Sequence, residues 1–291
     1  MNKNLEYFKK IFLIRKFENL LLSLFKLGYI KGTTHTCNGQ EATPVICLDD
    51  LTKDDCVVSN HRSHGHFLAY SNLVEELLCE LLGRDDGICS GLAGSQHIHF
   101  KNFYSNGILG NLVPMGVGLA LSKKLTKSKG TIFIFVGDGT FGQGVVYESL
   151  NIASLKRLSC MFIVENNKIA QTTPIERHLA GDIEKRFNSF NIKTFNANSY
   201  DINSLVTVAK KGKKYIKSHK RPCALIINSF RFNAHSKGDD TRNEKYISLI
   251  KKTNDPLNFF RKKIKKNDFE NIEKKINKYL EKICKKLKLK I

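Results

Sequence analysis

Apolar and polar positions follow two periods along this chain. Leu5, Phe8, Phe12, Phe17, Leu20, Leu21 and Leu24 recur at helical spacing among charged residues, which predicts an amphipathic helix over 5–27. Arg15, Lys16, Glu18 and Lys26 break its apolar run, so it does not read as a membrane span. A loop through Gly39 follows, and GQEATPVICLDDL begins a second helix. DDCVVSNHRSHGHFLAY reads as a short strand running into a His-rich loop, and 74–82 as a helix. Residues 83–111 are rich in Gly and Asn with little periodicity, a long loop of the kind that usually carries function. A helix over 114–124 shows small residues on one face. Two uninterrupted apolar runs, 131–136 and 160–164, read as buried strands joined by a helix over 143–156, and 223–228 as one more strand. A strand–helix–strand unit of this kind makes parallel neighbours, so the fold class is α/β, with a mainly parallel sheet and helices on both faces. The unusual loops then fall at the carboxyl ends of strands, where open α/β sheets bind ligands.

After Pro256 the pattern changes. Phe269, Ile272, Ile276, Leu280, Ile283 and Leu287 keep helical spacing in a Lys-rich background, with Asp268 as the expected cap. The chain thus divides into residues 1–255 and a basic helical extension, 256–291. This extension is either an arm for a partner or a docked terminal helix.

Composition narrows the classes. With 291 residues and 41% hydrophobic content the chain can bury a sizeable core. The first residues carry charge and no continuous apolar stretch, so no secretory signal is expected. Eight scattered cysteines show neither a Cys-x-x-Cys pair nor zinc spacing, and read as reduced thiols of a cytoplasmic protein. The net charge of +21 would suit nucleic acid or an acidic partner, but the lysines are spread out and form no aromatic-laced patch. A lysine-rich background explains it more simply, so neither nucleic acid nor a membrane is expected as partner.

The sharpest chemistry lies in Gly137-Asp138-Gly139 after the first apolar run and Glu165-Asn166-Asn167 after the second, with 26 residues, 140–165, between Gly139 and Asn166. Gly-Asp-Gly alone is an ordinary turn. On neighbouring parallel strands the two motifs bring a carboxylate, a carboxamide and a backbone carbonyl together, an oxygen donor set suited to Mg²⁺.

The pair and its surroundings, GDGTFGQGVVYESLNIASLKRLSCMFIVENN, resemble the alpha subunit of the thiamine diphosphate-dependent, decarboxylating dehydrogenase component of 2-oxo acid dehydrogenase complexes, the pyruvate, branched-chain and acetoin type. YFKKIFLIRKFENLLLSLFKLGYIKGTTHTCNGQEA, GSQHIHFKNFYSNGILGNLVPMGVGLALSKKL and SFRFNAHSKGDD resemble further segments of that family in the same order, across roughly residues 5–262. The resemblance implies a thiamine diphosphate-binding fold with that cofactor and Mg²⁺. It implies that Asp138, Asn167 and the carbonyl of Ile169 hold the metal. Gly139 and Thr140 would offer N–H groups to phosphate at a helix start, with Arg62, His61 and His235 on the same diphosphate. Gly107 and Leu109 would hold the aminopyrimidine, His35 would sit on the substrate side, and His35 and His235 would be the catalytic residues. The family draws its cofactor-activating glutamate from a beta subunit, and no candidate for it stands out here. The chain therefore reads as half of an active site: an alpha subunit that decarboxylates a pyruvate-like 2-oxo acid within an α₂β₂ assembly and passes the acyl group to a lipoyl-bearing acyltransferase. Two other readings stay open, a carboligase or decarboxylase subunit of a biosynthetic pathway and a non-catalytic scaffold. The chain departs from the family in having His61 for the usual Tyr, Ile169 for an aromatic and Ala234 for the Gly before His235.

Overall fold

A computed structural model describes residues 3–236 and 238–290. The helices are α1 (Lys3–Lys26), α2 (Ala42–Cys47), α3 (Ser63–Ser71), α4 (Val74–Leu81), α5 (Leu112–Leu125), α6 (Gly144–Leu155), α7 (Ile183–Ser189), α8 (Ile202–His219), α9 (Glu244–Thr253), α10 (Leu257–Lys263) and α11 (Lys266–Lys286). The strands are β1 (Cys56–Ser59), β2 (His99–Phe100), β3 (Phe103–Ser105), β4 (Ile132–Gly137), β5 (Cys160–Asn166), β6 (Ile169–Ala170), β7 (Thr173–Pro174), β8 (Lys193–Asn198) and β9 (Cys223–Asn228). Seven of them form one sheet in the order β2-β3-β1-β4-β5-β9-β8, parallel throughout except for β2 against β3. β6 and β7 make a separate two-stranded ribbon.

The central strands are apolar at every position because both faces are covered. Phe133, Phe135, Met161, Ile163, Leu225 and Ile227 face a core built with α1, α3, α4 and α8. The alternate residues Ile134, Val136, Phe162, Val164 and Ile226 face a second core with α5, α6 and α7. The small residues of α5 serve this packing: a Cβ at Gly116 would come within 2.6 Å of the Ile134 side chain, and Ala120 is buried. Gly118 is exposed, with open space where a Cβ would stand.

The structure corrects three local readings. The His-rich segment is helix α3, because His64 and His66 turn inward to buried carboxylates, Glu18 at 3.1 Å and Glu165 at 3.3 Å. The loop at 83–111 contains β2 and β3, which extend the sheet beyond β1. Asp268 lies in the first turn of α11 and Lys265 occupies the cap position without a side-chain bond. The terminal helix is docked: Phe269 stacks on Phe8 of α1 at 4.4 Å, and Ile272, Leu280, Ile283 and Leu287 join the α1 core. At the junction of the two expected parts, Asp255 bonds Arg15 of α1 at 3.1 Å.

Candidate active site

The loops leaving β1, β4, β5 and β9 rise from one end of the sheet, as the strand order requires. They enclose a cavity of about 350 Å³. Its walls contain His61, Arg62, Leu109, Asp138, Gly139, Thr140, Asn167, Ile169 and His235, nine of the residues expected from sequence. Gly107 and His35 do not line it; they meet instead through Gln96, described below.

Asp138 and Asn167 end adjacent parallel strands whose register pairs Val136 with Val164 and Gly137 with Glu165. Asp138 is buried, its Oδ2 has no hydrogen-bond partner among the described residues, and burial pushes its carboxyl above the usual range. Asn167 Oδ1 accepts the N–H of Ile169 at 3.1 Å, which pins the chain where Lys168 takes a positive φ of 61° and keeps one carboxamide lone pair free. Gly139 is held to glycine by space: a Cβ there would sit 2.7 Å from that of Ala170. Gly139 and Thr140 belong to a 3₁₀ turn, Asp138–Gly142, and α6 itself starts after Gln143. An orphaned buried carboxylate oxygen beside a carboxamide oxygen fits a hard cation that brings its own water or phosphate oxygens.

The opposite wall is cationic. Arg62 is buried and donates to Thr36 O at 2.7 Å, and burial together with Arg231 lowers its guanidinium to about 9. Arg231, also buried, donates to Gln171 O at 2.9 Å and Asn233 O at 3.1 Å, and is lowered to about 10 by burial and Arg242. Both guanidiniums reach His235 Nδ1, at 3.1 and 3.3 Å. A guanidinium only donates, so Nδ1 accepts and the neutral ring carries its proton on Nε2. Burial and Arg62 lower His235 to about 4 and His35 to about 3, and His61 is driven well down by the same causes. The three rings stand 4.6 to 5.3 Å apart, with one ligand atom from each within 4.8 Å of the others. Two guanidiniums beside them, and a lone pair of His235 already committed, make this a cluster of neutral donors for an anion rather than a cation site.

The loops carrying His35 and His235 are sewn together. Phe232 N donates to Asn38 O at 2.9 Å, and Gly39, at φ 94°, brings its α-carbon so close that a Cβ would lie 2.1 Å from Phe230 O. His35 is buried behind His61 and His235, and its Nδ1 faces Gln96 Nε2 at 3.4 Å. A Cβ on Gly107 would strike Gln96 Oε1 at 2.2 Å, so Gly107 makes room for that carboxamide.

Arg231, Gln143 and Gln96 are site residues that sequence reasoning missed. Arg231 sits inside the segment quoted for His235, and its signal was a lone cation three residues past the end of an apolar strand. Gln143, whose Oε1 fills the space above Gly110, had no distinguishing pattern.

A model of the dehydrogenase E1 component family matches residues 9–288. The chain is 34% identical over 270 residues to the pyruvate dehydrogenase E1 component subunit alpha of Rickettsia bellii, covering 90% of this chain and 82% of that protein. It is 34% identical over 267 residues to that of Zymomonas mobilis, with 89% and 75% covered. Against the testis-specific mitochondrial form of Rattus norvegicus the figures are 33% over 274 residues, with 92% and 70% covered. With a match across nearly its whole length and each of these three relatives an alpha subunit, the chain belongs to the dehydrogenase E1 component family, on its alpha-subunit side.

Proposed function

We propose that this chain is the metal- and diphosphate-holding half of an enzyme that decarboxylates a pyruvate-like 2-oxo acid and hands the acyl group to a lipoyl-bearing acyltransferase. As a family member it works with thiamine diphosphate and a beta subunit; the finer reading is an α₂β₂ assembly with Mg²⁺. The observation that carries the reading is the unpartnered, buried Asp138 oxygen on the cavity wall, facing a loop that supplies Asn167. Asp138, Asn167 and the Ile169 carbonyl hold Mg²⁺. The backbone N–H groups of Gly139 and Thr140 take phosphate oxygens, joined by Arg62, His61 and the Nε2–H of His235. Leu109 and the backbone at Gly107 hold the aminopyrimidine. When bound, thiamine diphosphate supplies a carbanion nucleophile and an electron sink for decarboxylation. On the substrate side His35 stays neutral, accepts from Gln96 at Nδ1 and so keeps a proton on Nε2 to offer an oxygen of the oxo acid.

Calorimetry with Mg²⁺ and thiamine diphosphate on the co-expressed subunit pair tests this. Asp138→Ala removes a charged ligand and should abolish measurable metal-dependent binding, whereas Asn167→Ala, losing a neutral one, should weaken it less. Unchanged affinity in both variants refutes the assignment.

A further inference from the structure

Glu18 lies on α1, away from the cavity wall, yet it is fully buried and the Proposed function leaves it without a task. Its two carboxylate oxygens grip two different parts of the chain, the loop after His35 and helix α3. Oε1 accepts the N–H of Cys37 at 3.0 Å, two residues after His35. Oε2 accepts from His64 Nδ1 at 3.1 Å. In the neutral ring with its proton on Nδ1, toward the carboxylate, Nε2 accepts from the Ser95 hydroxyl 2.8 Å away. Ser95 is fixed a second time, its carbonyl accepting from Ser63 Oγ at 3.1 Å. The next residue is Gln96, whose carboxamide reaches back to His35 Nδ1 at 3.4 Å. The path closes on itself: from Glu18 through Cys37 to His35 on one side, and through His64, Ser95 and Gln96 to the same imidazole on the other.

A buried carboxylate with no lysine or arginine paired to it is costly unless its oxygens are saturated by donors. Here the donors are the N–H of Cys37, in the loop that carries His35, and His64 of α3, which leads through Ser95 to Gln96 and the ring of the same histidine. We infer that Glu18, acting through His64 and Ser95, is a positioning residue that sets the orientation and tautomer of His35. Held through Ser95 and by Ser105 Oγ on its own carbonyl at 3.0 Å, Gln96 delivers its N–H to Nδ1, and that contact keeps the proton on Nε2. The effect on turnover rests on the Proposed function; the effect on the ring does not.

Two measurements test it. In the full chain labelled with ¹⁵N-histidine, the His35 signals, identified by their absence in His35→Ala, should report a single neutral tautomer. Ser95→Ala and Glu18→Gln should shift them or split them into two forms, and Ser95→Thr, which keeps the hydroxyl, should restore them. In the co-expressed pair Ser95→Ala should lower kcat about tenfold, while KM for the 2-oxo acid and the affinity for thiamine diphosphate stay within about twofold. In a His35→Ala background the same change should cost nothing more, because its route to the chemistry is already gone. Unmoved His35 signals in both variants overturn the inference, as does a full additional loss in the His35→Ala background. A wild-type pair that binds cofactor but turns over no 2-oxo acid refutes the Proposed function instead, and the nitrogen signals still decide whether Glu18 governs the ring.

Discussion

Asp138→Asn should make the cofactor-free protein more stable and the loaded protein less so. In the free protein the side chain is about 2% exposed, and one oxygen has no partner among the described residues. Leaving a buried polar group unsatisfied costs about 1–3 kcal/mol, more when it is charged. Asn leaves an amide to satisfy, so a net gain of about 1 kcal/mol is expected, roughly 2–4 °C in melting temperature for a domain of this size. The pH dependence has a definite sign. The folded carboxyl titrates above its ordinary value of 3.8, so the folded state holds the extra proton and stability falls as pH rises from 3.8 through the raised value. The advantage of the variant is therefore full near neutrality and vanishes in acid. Cofactor reverses the order. At 100 times its dissociation constant, Mg²⁺ with thiamine diphosphate adds about 2.7 kcal/mol to the wild type. If losing the charged ligand weakens binding about 100-fold, the same concentration adds only about 0.4 kcal/mol to the variant. Thermal unfolding of the co-expressed pair, stripped and then reloaded at equal protein concentration, reads both signs. A stripped variant less stable than the stripped wild type, or equal stabilisation of the two by cofactor, would refute the reasoning.

Gly139→Ala should raise the calorimetric dissociation constant for cofactor, since the new methyl meets Ala170 at 2.7 Å and relieving such overpacking costs about 1–3 kcal/mol. Acid should unfold the chain early: His35 and His235 titrate at about 3 and 4 when folded but near 6.5 when unfolded, so stability is lost as pH falls below 6.5 and continues to fall to about 4 and 3. Urea midpoints at pH 7 and pH 5 should show this fall, and it should be shallower in His235→Gln; equal slopes contradict the buried neutral imidazole. The purified chain alone should not decarboxylate 2-oxo acids, and co-expression with a beta-type subunit should restore turnover. Activity of the chain by itself would mean that an activating carboxylate lies within it.

The parts of the fold written in continuous apolar runs were legible: β4, β5 and β9 appear within two residues of where the runs place them, since strands covered on both faces need no polar position. The Asp138 and Asn167 loops were legible for the same reason, as they simply end those strands. What escaped depends on partners distant in the chain. α3 looks like a polar loop until Glu18 and Glu165 supply the carboxylates that let His64 and His66 go inside. β2 and β3, of two and three residues, owe their strand character to β1 rather than to their own pattern. Arg231 and Gln96 gain their meaning only from His235 and His35, which the fold brings beside them.

The docking of α11 on α1 bears on how this protein is made. Arg15 finds Asp255 across 240 positions of chain, and Phe8 waits as long for Phe260 and Phe269. A growing polypeptide that has passed β9 and His235 has every loop of the cavity in hand but an uncovered aromatic stripe on its first helix. Synthesis at about 5–20 residues per second leaves that stripe bare for several seconds while the remaining residues emerge. During that interval the nascent chain is at its stickiest, and it is the interval in which a chaperone has most to offer.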